Sequence, residues 1–417
     1  MKTKFLLALL SSCYCLTTVA QKTKPEVVKA IDSKYDQYSA IAHKIWEYAE
    51  VGFQETQSSA LLQETLSKEG FKVESGVAGM PTAFTATYGS GKPVIGILGE
   101  FDALPGVSQE AVPELKPIPN QKAGHACGHH LFGTASAAAA IEVKNWLIAN
   151  KKSGTIRFYG TPAEEGGSGK VYMVRDGLFK DVDVVLHWHP GSSNSAGWGA
   201  SLSNKSGKFR FYGVASHAAA SPERGRSALD GVEAMDHMVN MLREHVSDAT
   251  RIHYVITRGG EAPNVVPAFA EVYYYVRHPL PAEVKSTWER VVRAAEGAAL
   301  GTDTNMKYEV TGGVYNMLPS ESLAKVMDAN LRTVGGYSLT PQEKEFGNKI
   351  QLTFTGSVPK LESTNEIGEL KESESGGSTD VADISWVVPT AGLRVATWIP
   401  GTAAHSWQAV AAGVRGC

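Results

Sequence analysis

Residues 94–105 read VIGILGEFDALP, a short and nearly continuous apolar run followed directly by two carboxylates, Glu100 and Asp102. Strands that are covered on both faces have this composition. Similar runs occur at 82–88, 156–159 and 182–186. Helical sequence lies between them, notably the alanine-rich stretch 134–148. The alternation predicts an α/β fold with a central sheet, in which the loops at the strand ends carry the chemistry.

The length and the net charge of the chain further limit what kind of protein it can be. The chain has 417 residues, more than one hydrophobic core usually organises, so two domains are expected. Its 40 Lys and Arg residues nearly balance 43 Asp and Glu residues, for a net charge of −3. This balance gives no electrostatic reason to expect nucleic acid as a partner.

A different pattern begins near residue 203. Strand-like runs occupy 208–214, 252–257, 270–277 and 306–311, and helical runs occupy 227–246 and 281–300. The order β-α-β-β-α-β is that of the ferredoxin-like sandwich. Because α/β-type sequence returns afterwards, we predict an inserted domain at 203–313 between two parts of a catalytic domain, 21–202 and 314–417.

The strand 270–277 contains three consecutive tyrosines and is predicted to be the outer strand of this insertion. An outer strand can pair edge to edge with a partner chain. The alternative is an ordinary strand whose tyrosines cover its own helices.

The N-terminus has the features of an export signal. Two lysines precede the apolar run 5–10, and the run is too short to span a bilayer. We predict a signal peptide at 1–20, hence a periplasmic or secreted protein without a transmembrane segment. The alternative is a lipoprotein anchored at Cys13. Cleavage would leave Cys127 and Cys417, which gives no evident disulfide framework.

Histidine and cysteine concentrate in GHACGHH at 124–130, which holds His125, Cys127, His129 and His130. Thiolate and imidazole are the ligands that zinc prefers, and manganese or cobalt can use such a site as well. A single buried histidine needs no functional explanation, but a whole cluster beside one cysteine indicates a metal site.

Three more segments follow predicted strands or loops. Glu164 and Glu165 are adjacent, so one can bind a metal while its neighbour acts on a water molecule. His187 and His189 are two residues apart on one strand and therefore share a face. His405 lies near the C-terminus in GTAAHS, and taken singly it is as compatible with a core histidine as with a ligand.

Eight motifs occur together in order: GEFDALPG, GHACGHHLFGTA, RFYGTPAEEGGSGK, VDVVLHWHP, ASHAAASPERGRSALD, PNVVPAFAEV, GSTDVADISW and PGTAAHSWQ. Through them the chain resembles the metallo-aminoacylase and carboxypeptidase family of two-metal amidohydrolases, and within it the aminobenzoyl-glutamate hydrolases. The resemblance implies a zinc-peptidase-like α/β catalytic domain with a mixed central sheet and an inserted ferredoxin-like lid that also dimerises.

The same resemblance implies roles for individual residues. The metal ligands of two divalent cations, Mn²⁺ or Zn²⁺, would be Cys127, His129, Glu165, His189 and His405. Glu164 would be the general base, and Asp102 would orient a ligand. His217 would reach a neighbouring subunit's site and stabilise the oxyanion. Asn264 and Arg277 would hold the substrate carboxylate, a task that suits an arginine fork.

The resemblance implies an N-acyl amino acid as substrate, p-aminobenzoyl-glutamate first and a dipeptide-like amide second. It implies a homodimer, or assembly with a related A-type subunit. Two positions depart from the family pattern that the resemblance implies. At position 100 this chain has Glu100, whereas many relatives would have a histidine. At position 130 it has His130, whereas close relatives would have Asn or Asp. The chain also ends twelve residues after His405, where relatives continue, so we expect a shortened C-terminus.

Two other classes of protein remain open from sequence. A thiol hydrolase would use Cys127 as nucleophile and a histidine as base. A metal- or ligand-binding relative without turnover would have no need of a general base at Glu164.

Overall fold

The computed structural model describes residues 24–372 and 376–414. The predicted signal peptide at 1–20, with Cys13, and the terminal Cys417 lie outside these residues. No helix within them is both long enough and apolar enough to cross a membrane.

The described chain alternates between helices and strands. The helices are α1 (Lys24–Asp32), α2 (Tyr35–Tyr48), α3 (Thr56–Lys68), α4 (His129–Ala149), α5 (Gly169–Arg175), α6 (Ala228–Leu242), α7 (Pro281–Gly301), α8 (Glu321–Val334), α9 (Pro341–Gln351), α10 (Val381–Ser385) and α11 (Trp407–Gly413). The strands are β1 (Lys72–Ser75), β2 (Phe84–Ser90), β3 (Val94–Glu100), β4 (Leu104–Pro105), β5 (Ala123–Gly124), β6 (Gly154–Thr161), β7 (Val184–Gly191), β8 (Ser195–Trp198), β9 (Ser203–Tyr212), β10 (Arg251–Arg258), β11 (Phe269–His278), β12 (Asn305–Val314), β13 (Lys371–Glu372) and β14 (Thr390–Ala396).

The larger sheet has eight strands in the order β1-β2-β6-β3-β7-β14-β8-β13. Its four central strands, β6, β3, β7 and β14, are parallel to one another, whereas β1, β2 and β8 add antiparallel pairs. Strand β3 shows why these runs are apolar throughout, because Ile97 packs into one buried cluster and Leu98 into another. The predicted α/β fold with a mixed central sheet is confirmed.

The second sheet has four antiparallel strands in the order β10-β11-β9-β12, and helices α6 and α7 pack against it. Chain order and pairing together are those of the ferredoxin-like sandwich, as predicted. We call residues 203–314 the lid. Ser227 caps α6 by accepting a hydrogen bond from the Asp230 amide, and Pro281 begins α7. Phe209, Phe211, Met235, Tyr274 and Trp288 belong to the buried core between sheet and helices.

The prediction that residues 270–277 form the outer strand of the lid is wrong. Strand β11 lies between β10 and β9 and is hydrogen-bonded on both sides. Its tyrosines alternate between faces: Tyr274 is buried under the helices, and the hydroxyls of Tyr273 and Tyr275 approach within 3.2 Å on the other face. The edges of the lid are β10 and β12, so pairing with a partner through β11 is excluded.

Candidate metal centre

The side chains predicted to bind metal and the predicted general base lie at one edge of the larger sheet. Parallel strands point their carboxyl ends to the same edge, and β3 and β6 each end there in polar loops. Glu100 is the last residue of β3, Glu164 and Glu165 follow β6, and His189 lies near the end of β7. His129 is the first residue of α4, which begins at the same edge. The fold therefore brings together segments that are far apart in the chain.

Gly128 allows two of these segments to approach closely. Its φ of +77° is a left-handed conformation that favours glycine, and a Cβ there would lie 2.6 Å from Cβ of Pro190. Cys127 and His129 flank this glycine and so lie directly against the strand that carries His189. The amide of His405 donates to the carbonyl of Ala126 at 3.0 Å, which ties the C-terminal segment to the same loop.

The five predicted metal ligands, here called the ligand cluster, lie close to one another. Sγ of Cys127 is 3.5 Å from Nε2 of His189, and Nε2 of His405 is 3.3 Å from Oε1 of Glu165. Donor atoms of Cys127, His129 and His189 all lie within 4.8 Å of one another, as do those of Cys127, Glu165 and His405. A third group of this kind consists of Glu100, His129 and Glu164.

These donors fit a metal centre. Oε2 of Glu100, Nε2 of His129 and Oε1 of Glu165 are buried, and none forms a hydrogen bond with another described residue. Oε2 of Glu100 and Nε2 of His129 lie only 3.0 Å apart without hydrogen-bond geometry. Ligands at about 2.0–2.3 Å from one ion have separations of roughly 3–4 Å, which is the spacing seen here. Orphaned buried polar atoms are costly, and a cation would satisfy them.

Asp102 is fully buried and joins two members of the ligand cluster. Its Oδ1 accepts a hydrogen bond from Nδ1 of His129 at 2.9 Å, and its Oδ2 accepts one from the Glu165 amide at 2.8 Å. The first contact fixes the His129 tautomer so that Nε2 is the free nitrogen. Burial alone would raise the pKa of Asp102, but the neighbouring His129 imidazole and these hydrogen bonds hold it below its usual value.

Glu100 belongs to an ion network that sequence reasoning missed. Nζ of the fully buried Lys170 lies 2.7 Å from Oε1 of Glu100 and 2.7 Å from Oδ1 of Asp380. The Lys170 amide also donates to Oδ2 of Asp380 at 2.9 Å. The lysine in GGSGK and the aspartate in GSTDVADISW were the available signals. The charge of Lys170 therefore stabilises the buried carboxylates of Glu100 and Asp380.

The environment of the ligand cluster shifts several protonation equilibria. Burial and the negative charges of Glu100 and Glu165 raise the pKa of Glu164 well above its usual value. Burial and the neighbouring His129 lower the pKa of His189, so its imidazole is neutral, the form that binds metals. Burial raises the pKa of the Cys127 thiol. A buried thiol is a poor nucleophile unless a cation displaces its proton, which disfavours a thiol hydrolase without metal.

The three residues predicted to act from the lid are the catalytic His217 and the substrate-binding Asn264 and Arg277, and they divide into two groups. Arg277 lines the cavity of about 790 Å³ that opens onto the ligand cluster, together with Asn204 and Tyr275 of the lid. His217 and Asn264 do not line it; they lie beside each other outside it, with the Ala218 amide donating to the carbonyl of Asn264.

His130 points away from the ligand cluster. Its Nε2 donates to the carbonyl of Gly413 at 3.2 Å, and its ring packs on that of His125 with centroids 4.9 Å apart. Burial and the neighbouring His125 keep the pKa of His130 well below its usual value. His130 therefore contributes to packing under α11 and belongs to none of the three ligand groups.

Residues 96–408 match the family model described as peptidase family M20/M25/M40. The chain belongs to this family. The match contains every motif of the metal centre, from Glu100 to His405. Members hydrolyse amide or peptide bonds, so the chain is a hydrolase and the resemblance inferred from its motifs is confirmed.

Among curated relatives, the B-type chain of p-aminobenzoyl-glutamate hydrolase from Escherichia coli is 40% identical over 411 residues, 92% of this chain and 85% of that protein. The human Xaa-Arg dipeptidase is 28% identical over 380 residues, 87% of this chain and 77% of the relative.

Among solved structures, the aminobenzoyl-glutamate utilization protein of Klebsiella pneumoniae superposes with a TM-score of 0.67 at 17% identity, covering 94% of this chain and 96% of that one. A Bacillus subtilis protein described as a dinuclear metal binding peptidase of the M20 family gives 0.57 at 17% identity, with coverage of 92% and 97%. At this identity they show that the fold is shared.

Proposed function

We propose that this hydrolase cleaves the amide bond of N-acyl amino acids, with p-aminobenzoyl-glutamate as its main substrate and p-aminobenzoate and glutamate as products. The observation that carries the proposal is Glu164, a carboxylate with a raised pKa that lines the cavity beside the ligand cluster. A base of this kind has no use in a protein that only binds metal. The name of the relative that is 40% identical supports the choice of substrate.

Cys127, His129, Glu165, His189 and His405 would hold two divalent cations, Mn²⁺ or Zn²⁺. When bound, such cations polarise an amide carbonyl and acidify water. Asp102 keeps His129 and Glu165 in place through its two hydrogen bonds. Since the ligands come from four separate segments of the chain, cations would also fix those segments relative to one another.

Glu164 would remove a proton from the attacking water and pass it to the leaving amine nitrogen. Its position suits both steps, because Glu164 lines the cavity beside the ligand cluster, where the water and the amide would meet. Arg277 would hold the substrate carboxylate from the lid side of the cavity, where its Nε is buried without a hydrogen-bond acceptor among the described residues.

His217 and Asn264 would act on the cavity of a second copy of the chain. The support for this is their position, since both lie away from their own cavity. In a homodimer joined through the lid, His217 would stabilise the oxyanion and Asn264 the substrate carboxylate. A related A-type subunit is the alternative partner. We further propose export after cleavage following residue 20, which N-terminal sequencing of the mature protein tests.

The function is tested by loading purified full-length protein with Mn²⁺ or Zn²⁺ and assaying three substrates. p-Aminobenzoyl-glutamate is expected to be cleaved fastest, and activity is expected to disappear with EDTA and return with metal. An Xaa-Arg dipeptide and an N-acetyl amino acid serve as comparisons. Faster cleavage of the dipeptide would make the chain a dipeptidase, and a folded, metal-loaded protein inert toward all three would refute the proposal.

A further inference from the structure

The pairing register of the larger sheet places a positively charged side chain, that of Arg394, beside the metal centre. Arg394 lies in none of the motifs quoted above. Strand β14 runs parallel to β7, and Arg394 stands opposite His189. Residues in register on paired strands point to the same face. Arg394 therefore projects on the same side of the sheet as His189, and both line the cavity.

The same face continues outward from Arg394. On its other side Arg394 is in register with Ser195 of β8, and Lys371 of β13 is in register with Gly197. All of these residues line the cavity. From the metal centre to the rim, the wall thus presents an imidazole, a guanidinium and an ammonium group in sequence.

Arg394 forms no ion pair with any carboxylate in residues 24–372 and 376–414, although it lines the same cavity as Glu100 and Glu164. Other arginines of the chain are paired, such as Arg157 with Asp181, Arg210 with Glu271 and Arg226 with Asp303. Arg277, on the opposite lid wall, also has no carboxylate partner there and stacks on Tyr275 with its Cζ 5.5 Å from the ring centre.

The cavity thus contains two arginines without carboxylate partners among the described residues, one on the lid and one on the larger sheet. A guanidinium binds a carboxylate through two parallel hydrogen bonds, so two such groups fit a ligand with two carboxylates. An N-acyl glutamate has one carboxylate next to the scissile amide and a second at the end of a flexible side chain. Arg277 is assigned to the first, which leaves the second without a partner.

We propose that Arg394 binds the side-chain carboxylate of the substrate and so makes the enzyme selective for N-acyl dicarboxylic amino acids. The proposal deepens the proposed function and rests on it. Lys371 lies further out on the same face. Its ammonium group cannot form the two parallel hydrogen bonds of a guanidinium, so we assign it no direct contact with the substrate.

The test compares p-aminobenzoyl-glutamate with p-aminobenzoyl-glutamine, whose side chain ends in a neutral amide in place of the carboxylate. For Arg394→Gln we expect kcat/KM on the glutamate substrate to fall about 10- to 100-fold, mainly through KM, since the lost contact is present before and during the reaction. The glutamine substrate should change less than about threefold. Arg394→Lys should retain part of the preference, and Arg293→Gln, on the exposed side of α7, should change neither substrate.

Two results would overturn the proposal: equal loss on both substrates in Arg394→Gln, or a selective loss that appears in Lys371→Gln instead. Failure of the proposed function looks different, because neither substrate would then be cleaved by the wild type. In that case equilibrium binding of the two compounds still decides the role of Arg394. Weaker binding of the glutamate compound alone in Arg394→Gln supports it, and unchanged binding contradicts it.

Discussion

The core of the lid and the strand ends of the larger sheet bury opposite kinds of side chain. The core of the lid is apolar and aromatic, with Phe209, Phe211 and Trp288 packed between sheet and helices. At the strand ends of the larger sheet, several ionisable side chains are at most 1% exposed, among them Glu100, Asp102, His129, Lys170 and Asp380.

The difference shows which region is built for stability and which for chemistry. Apolar burial stabilises a fold without further components, at about 25 cal/mol per Å². Buried charges are favourable only when each has a partner, and in the larger sheet Lys170 neutralises part of the excess. The buried ligand atoms that remain without a hydrogen-bond partner would be satisfied by bound cations. We therefore expect substitutions at the strand ends and in the lid to have separable effects.

The largest effect is expected on turnover. Glu164→Gln keeps the shape of the side chain but removes the base, and should lower kcat about 10²- to 10⁴-fold. Elemental analysis should show that metal content is unchanged. The exposed Glu289→Gln on α7 is the matched control and should retain full activity. If the Glu164 variant still turns over substrate at the wild-type rate, the base has been assigned wrongly.

The next effect concerns the stability of the strand ends. Lys170→Met leaves Glu100 and Asp380 buried without their shared cation, which should cost about 3–5 kcal/mol in the free energy of unfolding. Urea denaturation of the metal-free protein measures it. The exposed Lys307→Met is the control. An unchanged midpoint in the Lys170 variant would mean that the network contributes nothing to the fold.

A substitution in the lid core should affect stability alone. Trp288→Ala removes a ring that is 3% exposed and packs on Phe209 at 5.5 Å between centroids, which should cost about 3–5 kcal/mol. Hydrogen exchange of the β9 and β11 amides reports this loss directly. Trp288→Phe should lose less. If metal content of the folded Ala variant also falls, the two regions are coupled and the comparison fails.

The smallest effect is a dependence of stability on pH. Burial and the nearby Asp380 raise the pKa of Asp383 to about 7, above its value in the unfolded chain, although it accepts a hydrogen bond from the Tyr315 amide. The folded state therefore holds this proton more tightly, and the stability it contributes at low pH is lost as pH rises from about 4 to about 7.

Asp383→Asn should make the free energy of unfolding less dependent on pH over this range and should stabilise the protein at pH 8. Each unit of pKa difference corresponds to about 1.4 kcal/mol, so an effect of one to a few kcal/mol is measurable by denaturation at several pH values. The exposed Asp32→Asn should leave the slope as it is. A slope that persists in the Asp383 variant would point to another group.

Local pattern was sufficient to predict much of the architecture. Continuous apolar runs such as 94–98 revealed strands covered on both faces, and the alternation in 203–313 revealed the βαββαβ order. The motifs also named the residues of the ligand cluster, which the structure brings together. Each of these signals is contained within a few consecutive residues or in the order of elements.

What could not be predicted depends on pairing across the chain. Lys170 and Asp380 are 210 residues apart, and no local spacing relates them. The order of strands in a sheet differs from their order in the chain, which is why β11 was wrongly expected at an edge. The position of Arg394 beside His189 likewise follows only from the register of β14 against β7.

The central claim is that one sulfur, three imidazoles and one carboxylate bind two divalent cations. Inductively coupled plasma mass spectrometry of the folded, full-length protein after incubation with Mn²⁺ or Zn²⁺ and removal of excess metal measures this directly. We predict about two equivalents per chain, and fewer in His189→Ala with the fold retained. A folded wild-type protein that takes up neither metal would contradict the account.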